Sequence, residues 1–255
     1  MIKTFILTAL MGGFFVSSGF CSIKELYDRM IPAVTTDNGL KNHLVNQDVP
    51  VYLRKHSFNA DDNTYTFVNF SGASHLGTLY IIPNKGQIYA LNSGRTYSVL
   101  TKEEMPFLKY DEAMVISATG GTGEHHVYAQ IISLGKVPKV LASFPLNGYS
   151  AQGINLPPKL HEKRDDSALD LTYQYDSMTM KDDTLIIKGK FVSKFTNVDR
   201  KDQPEAHKHN FLKSANDPFT ITIDKDRKVH LQGSKGVKNH LKDLTQITGD
   251  EITKK

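Results

Sequence analysis

The chain has 255 residues, with 31 Lys+Arg against 27 Asp+Glu for a formal charge of +4, 39% hydrophobic and 23% charged residues, one Cys and no Trp. That composition excludes a collagen, a coiled coil, a disulfide-stapled miniprotein and a polytopic membrane protein, each of which departs far from the globular average. The charge is close to balanced and no run of Lys and Arg is interleaved with aromatics, so nucleic acid is not an expected partner.

Residues 1–22 read as a secretory signal peptide. Lys3 supplies the positive start, and Phe5 to Val16 form an apolar run of about a dozen residues, long enough for a signal core and short of a bilayer span. A cut after Gly19 would leave Ser17 and Gly19 at the two positions that must be small. The mature region 23–255 is therefore expected in the periplasm or secreted, with no transmembrane segment after signal removal. Lipid anchoring through Cys21 is the minor alternative, because Ser18 and the bulky Phe20 stand where a lipoprotein signal needs a Leu-like and a small residue. A single Cys forms no internal disulfide, so stability must come from core burial. Losing Lys3 alone leaves 30 minus 27, or +3, on the mature chain.

In chain order, Ile23, Leu26, Tyr27, Met30 and Ile31 recur at helical spacing until Pro32 stops them. Strand chemistry follows. Val51 to Phe58 pairs with Thr64 to Phe70. Thr78 to Ile82 and Gln87 to Leu91 flank a Pro83-Asn84-Lys85-Gly86 turn. Ala113 to Ala118, His126 to Leu134 and Val140 to Phe144 make the next set. Leu171 to Met180 and Thr184 to Val192 flank Lys181-Asp182-Asp183, with Leu185, Ile187 and Phe191 on one side. The clearest unit is Phe219-Thr220-Ile221-Thr222-Ile223, a strict period of two, then Asp224-Lys225-Asp226-Arg227, then Val229 and Leu231. A second helical stripe, Val237, Leu241, Leu244 and Ile247, lies in the basic C-terminal stretch Lys235 to Lys255. The fold expected is mainly β, antiparallel hairpins forming a sandwich, barrel or partial propeller, with short helices at both ends. The Gly-, Pro- and charge-rich stretch from Asn147 to Asp166 is a candidate boundary between two β subdomains; one continuous sheet system is the alternative.

Nucleophile and phosphate motifs fail on context. Gly72-Ala73-Ser74-His75-Leu76 has Leu76 where a nucleophile elbow needs Gly, and Ser133-Leu134-Gly135-Lys136 closes a hairpin rather than a helical turn. Gly120-Gly121-Thr122-Gly123 lacks the Lys and the following helix of a P-loop and reads as a β connection. Beside it stand Glu124, His125 and His126, the candidate ligand-binding residues. Alternation along a strand sends the two histidines to opposite faces, so one ion would not take both. His207 and His209 have the better spacing for a metal, with Asp199, Asp202 and Glu205 upstream; zinc there is the one alternative to an expectation of no cofactor. Calcium through Asn59 to Asn63, or through Asp224 and Asp226, lacks the order of a binding loop. Paired carboxylates need no linear motif, and Glu112, Glu124, Asp165 and Asp166 are the candidates. Tyr128, Tyr149, Tyr173 and Tyr175 could stack on a sugar or pack in a core.

No catalytic residue is identified. The expected function is a non-enzymatic exported binding or protein-interaction module that contacts a protein or an envelope component, for instance as an inhibitor or immunity-type partner. The alternative is an envelope-polymer hydrolase using carboxylates or a His-bound metal.

Overall fold

A computed structural model describes residues 28, 30, 41–42, 52–57, 64–71, 77–121, 124–135, 137–151, 169–195, 216–246 and 252–254. The strands are β1 (Tyr52–Ser57), β2 (Thr64–Ser71), β3 (Gly77–Pro83), β4 (Tyr89–Asn92), β5 (Arg95–Leu100), β6 (Glu112–Gly121), β7 (Glu124–Ser133), β8 (Lys139–Ala151), β9 (Leu169–Lys181), β10 (Thr184–Phe195), β11 (Asn216–Ile223), β12 (Val229–Gln232) and β13 (Ile252–Lys254). Helix α1 spans Lys235–Gln246. The strands form two sheets, one in the order β1-β2-β3-β4-β13 and one in the order β12-β11-β10-β9-β8-β7-β6-β5. The protein is thus mainly β and antiparallel, and neither sheet closes into a barrel.

The described residues divide into two compact units. The first holds residues up to 119 together with 130–141 and 252–254; the second holds 120–129 and 142–246. Strands β6, β7 and β8 each contribute residues to both.

In the first unit two sheet faces pack as a sandwich. Tyr65, Phe67, Leu79, Ile81 and Leu91, from β2 to β4, bury against Val99, Ala113, Val115, Ile132 and Leu134, from β5 to the end of β7. The other face of β2 to β4 is apolar too. Val68, Phe70, Tyr80, Ile82 and Ala90 are buried there with Ile88 and Met30. Burial on both faces explains why Leu79 to Ile82 is a continuous apolar run rather than an alternation. Met30 is helical and fully buried, as its place in the N-terminal stripe predicts.

The edge strand β5 would expose its outward N–H and C=O groups, and three side chains from the first sheet occupy them. The buried Asn69 amide donates to the Gly94 carbonyl at 3.0 Å and accepts the Thr96 N–H at 3.3 Å. Farther along, the Tyr52 hydroxyl accepts the Val99 N–H at 2.9 Å, and the Arg54 guanidinium donates to the Val99 carbonyl and to Glu104 Oε1 at 3.0 Å. Side chains here replace the missing neighbouring strand, which removes an edge that could otherwise pair with another chain. Burial pushes the Tyr52 hydroxyl up to about 12, with Arg54 opposing the shift.

In the second unit β9, β10 and β11 alternate inward and outward residues. Leu185, Ile187 and Phe191 share the buried side with Phe219, Ile221 and Ile223, as their spacing predicts. One extra residue, Asp176, interrupts the β9–β10 register, which shifts between Lys188 and Gly189. Helix α1 packs on β11 and β12 and buries Val237, His240, Leu241 and Leu244, leaving Lys235, Lys238 and Lys242 exposed. Ser234 caps it, accepting the Val237 N–H at 3.3 Å while its hydroxyl donates to Asp217 at 3.2 Å.

Candidate functional site

The two adjacent histidines of β7 face opposite sides of the sheet, as strand alternation requires. His126 points into the core of the second unit and is buried. Its ring stacks on Tyr173 with centroids 5.9 Å apart, and Nδ1 lies 3.1 Å from the Tyr173 hydroxyl. From Tyr173 the row continues through Phe191 and Phe219 with centroid spacings of 5.5 Å each, and His240 of α1 meets Phe191 edge-on at 5.3 Å. Two glycines make room for it. Gly148 pairs with Tyr173 and Gly189 with Phe219, and a Cβ on either would lie 2.7 Å or 2.4 Å from the partner's ring. The rings come close to bare backbone, so both glycines are needed for close approach rather than for a turn.

His125 takes the opposite, outer face. There it stacks with Tyr149 of β8, centroids 6.1 Å apart and planes 19° from parallel. Among the four candidate tyrosines, Tyr128 and Tyr173 are core, and burial raises the Tyr128 hydroxyl well above its ordinary value. Tyr175 is half-buried and also shifted upward by burial. Tyr149 alone is a surface residue, at 43% exposure. Register places its neighbours: Tyr149 opposite Thr172, Asn147 opposite Gln174, and Gln174 opposite Lys190. Asn147 and Gln174 are exposed. The result is a flat polar face with a two-ring aromatic platform at one end and hydrogen-bonding side chains beside it.

Glu124 opens β7. His207 and His209 lie outside the described residues, as do Cys21, residues 1–22, Asp165 and Asp166, and the Asn59 to Asn63 stretch. Glu112 is buried and its carboxylate accepts the Lys109 N–H at 2.9 Å, closing the turn before β6. Asp224 organises the β11–β12 turn. Its Oδ1 accepts the N–H groups of Asp226 and Lys228 at 2.9 and 3.0 Å, and its Oδ2 lies 3.1 Å from His230 Nε2. Those bonds, His230 first, hold its carboxyl below the usual carboxylate range. Among the described residues no group of three or more His, Cys, Asp or Glu side chains is placed to hold a metal ion, and no helix is long and apolar enough to cross a membrane.

Sequence reading named Tyr149 and His125 but missed Asn147, Gln174 and Lys190. The alternation read from sequence covers Val140 to Phe144, with a Gly-, Pro- and charge-rich stretch from Asn147 onward. The strand instead continues to Ala151, with Gly148 covered by Tyr173. Outward alternation from Tyr149 was the available signal.

Fold and site together define a two-sheet antiparallel β protein with an aromatic and polar platform on one sheet face. No family model, no curated protein and no solved structure matches the chain.

Proposed function

We propose that this chain is an exported, non-enzymatic binding module, delivered by the leader in residues 1–22 to the periplasm or the outside of the cell. It engages a protein or another envelope component through the outer face of β8 to β10, with Tyr149 and His125 at its centre. The observation that carries this reading is the stacked Tyr149–His125 pair, an exposed aromatic held at fixed orientation on a rigid sheet. A pre-ordered tyrosine loses little conformational freedom on binding and offers both apolar area and a hydroxyl, the qualities of a binding hot spot. Its polar flank, Asn147 and Gln174, supplies donors and acceptors for orientation.

Tagged chain recovered from the envelope fraction, with co-purifying components identified by mass spectrometry, tests the proposal. Wild type is expected to retain a defined partner that Tyr149→Ala loses, with an unchanged unfolding midpoint. An identical captured set for both proteins, or accumulation of the unprocessed chain in the cytosol, contradicts it.

A further inference from the structure

Tyr110, Val137 and Leu141 are exposed by 65%, 55% and 36%, and all three belong to the first unit. Two tight segments present them. The loop before β6 buries Met105, Phe107 and Leu108 and leaves Tyr110 outside, so the exposure of that ring is not a loose end. Lys102 holds it there, with Nζ 4.7 Å from the ring centroid and donating to the Leu108 carbonyl at 3.1 Å. The β7–β8 turn carries Val137, with Lys139 and Leu141 following on one side of β8. A hydrogen bond from the Leu134 N–H to the Asp111 carbonyl, 2.7 Å, ties the turn to the loop.

Charge surrounds the apolar tips. Lys109 and Lys139 are exposed and Lys102 partly so, against the exposed acids Glu103 and Asp111. Lysine is depleted where proteins bind proteins, whereas tyrosine and lysine together are enriched where a protein meets a bilayer surface, the ring at headgroup depth and the ammonium at the phosphates. We propose that this pair of tips is a membrane-surface anchor: Tyr110, Val137 and Leu141 enter the headgroup layer of an anionic bilayer while the lysines meet its phosphates. The anchor goes beyond the binding face described above and, although Lys139 and Leu141 lie on the same strand β8, it uses none of Tyr149, His125, Asn147 and Gln174, so either can fail while the other stands.

Co-sedimentation with vesicles tests it, using chain purified in the form that cells accumulate. The protein is expected to partition onto phosphatidylglycerol–phosphatidylcholine vesicles at low salt, to leave them as salt rises, and to bind phosphatidylcholine alone far more weakly. Tyr110→Ser combined with Val137→Ser should cut partitioning about tenfold. Lys109→Gln combined with Lys139→Gln should cut it about fivefold per lysine and flatten the salt dependence. All four positions are exposed, so unfolding midpoints should hold, and Lys181→Gln, an exposed lysine of the second unit, should leave partitioning unchanged. Absence of binding to the anionic vesicles, equal binding to both lipids, or full binding by the Tyr110/Val137 variant would overturn the proposal. So would tip variants that keep vesicle binding and lose a protein partner instead.

Discussion

In the first unit an apolar sheet face is buried against a second sheet, and aliphatic residues such as Leu79, Ile81, Val99 and Ile132 fill the space between them. In the second unit the sheet carries a row of rings from His126 to Phe219 laid across Gly148 and Gly189, and helix α1 covers β11 and β12. The difference teaches where polar groups can be tolerated. A sandwich leaves strand edges to close, and the first unit spends Asn69, Tyr52 and Arg54 on β5. The aromatic row instead admits two imidazoles among its rings and sends its paired surface chemistry, Tyr149 and His125, to the opposite face of the same strands.

Removing the centre of the row should have the largest effect. Phe191→Ala strips a fully buried ring from Tyr173, Phe219 and His240 and is expected to cost about 3–5 kcal/mol in chemical denaturation. A loss under about 1 kcal/mol would mean that the row is not cohesive.

Asn69→Leu in the first unit keeps the branching of the side chain but leaves the Gly94 carbonyl and Thr96 N–H unmatched, for an expected loss of about 2 kcal/mol and a greater tendency to associate through β5. The milder Tyr52→Phe removes one acceptor, at about 1 kcal/mol. It should also change the alkaline limb. Because the folded-state value of Tyr52 is raised from 10.0 to about 12, its contribution is fully present below pH 10 and is lost as pH climbs toward 12. Melting curves across that window should fall less steeply for the variant.

At the β9–β10 turn, Asp182 and Asp183 both have positive φ, at 49° and 56°, in a two-residue loop closed by Lys181 and Thr184. Asp183→Gly should raise stability by about 0.5–1 kcal/mol, since glycine adopts that conformation without strain.

The smallest expected effect is acidic. Asp224 has a depressed carboxyl, so its support of the β11–β12 turn is present above the ordinary value of 3.8 and disappears as pH falls through the lower folded-state value. Substituting His230→Gln should narrow that window in a carboxyl NMR titration.

Much of the fold was legible because local alternation and turn residues coincide. Phe219 to Ile223 with its Asp224 turn, the Asp182–Asp183 hairpin and the Val237–Leu244 stripe all stand where spacing puts them. Strand β5 was not legible: the register slips between Thr96 and Ser98, so Thr96, Ser98, Val99 and Leu100 are all buried and no period of two survives. Nor could β13, three residues long, announce itself. The site was half legible. Opposite facing of His125 and His126 follows from strand geometry, but which face is core depends on Tyr173, 47 residues away, and on the register that brings it there.

The most direct test of the central claim is photocrosslinking in living cells from a benzophenone side chain placed at position 149. The account predicts a discrete crosslinked product in the envelope fraction, absent when the same side chain replaces Lys225 in the β11–β12 turn. A position-149 protein that is processed and folded yet yields no product, or yields the same products as position 225, would contradict it.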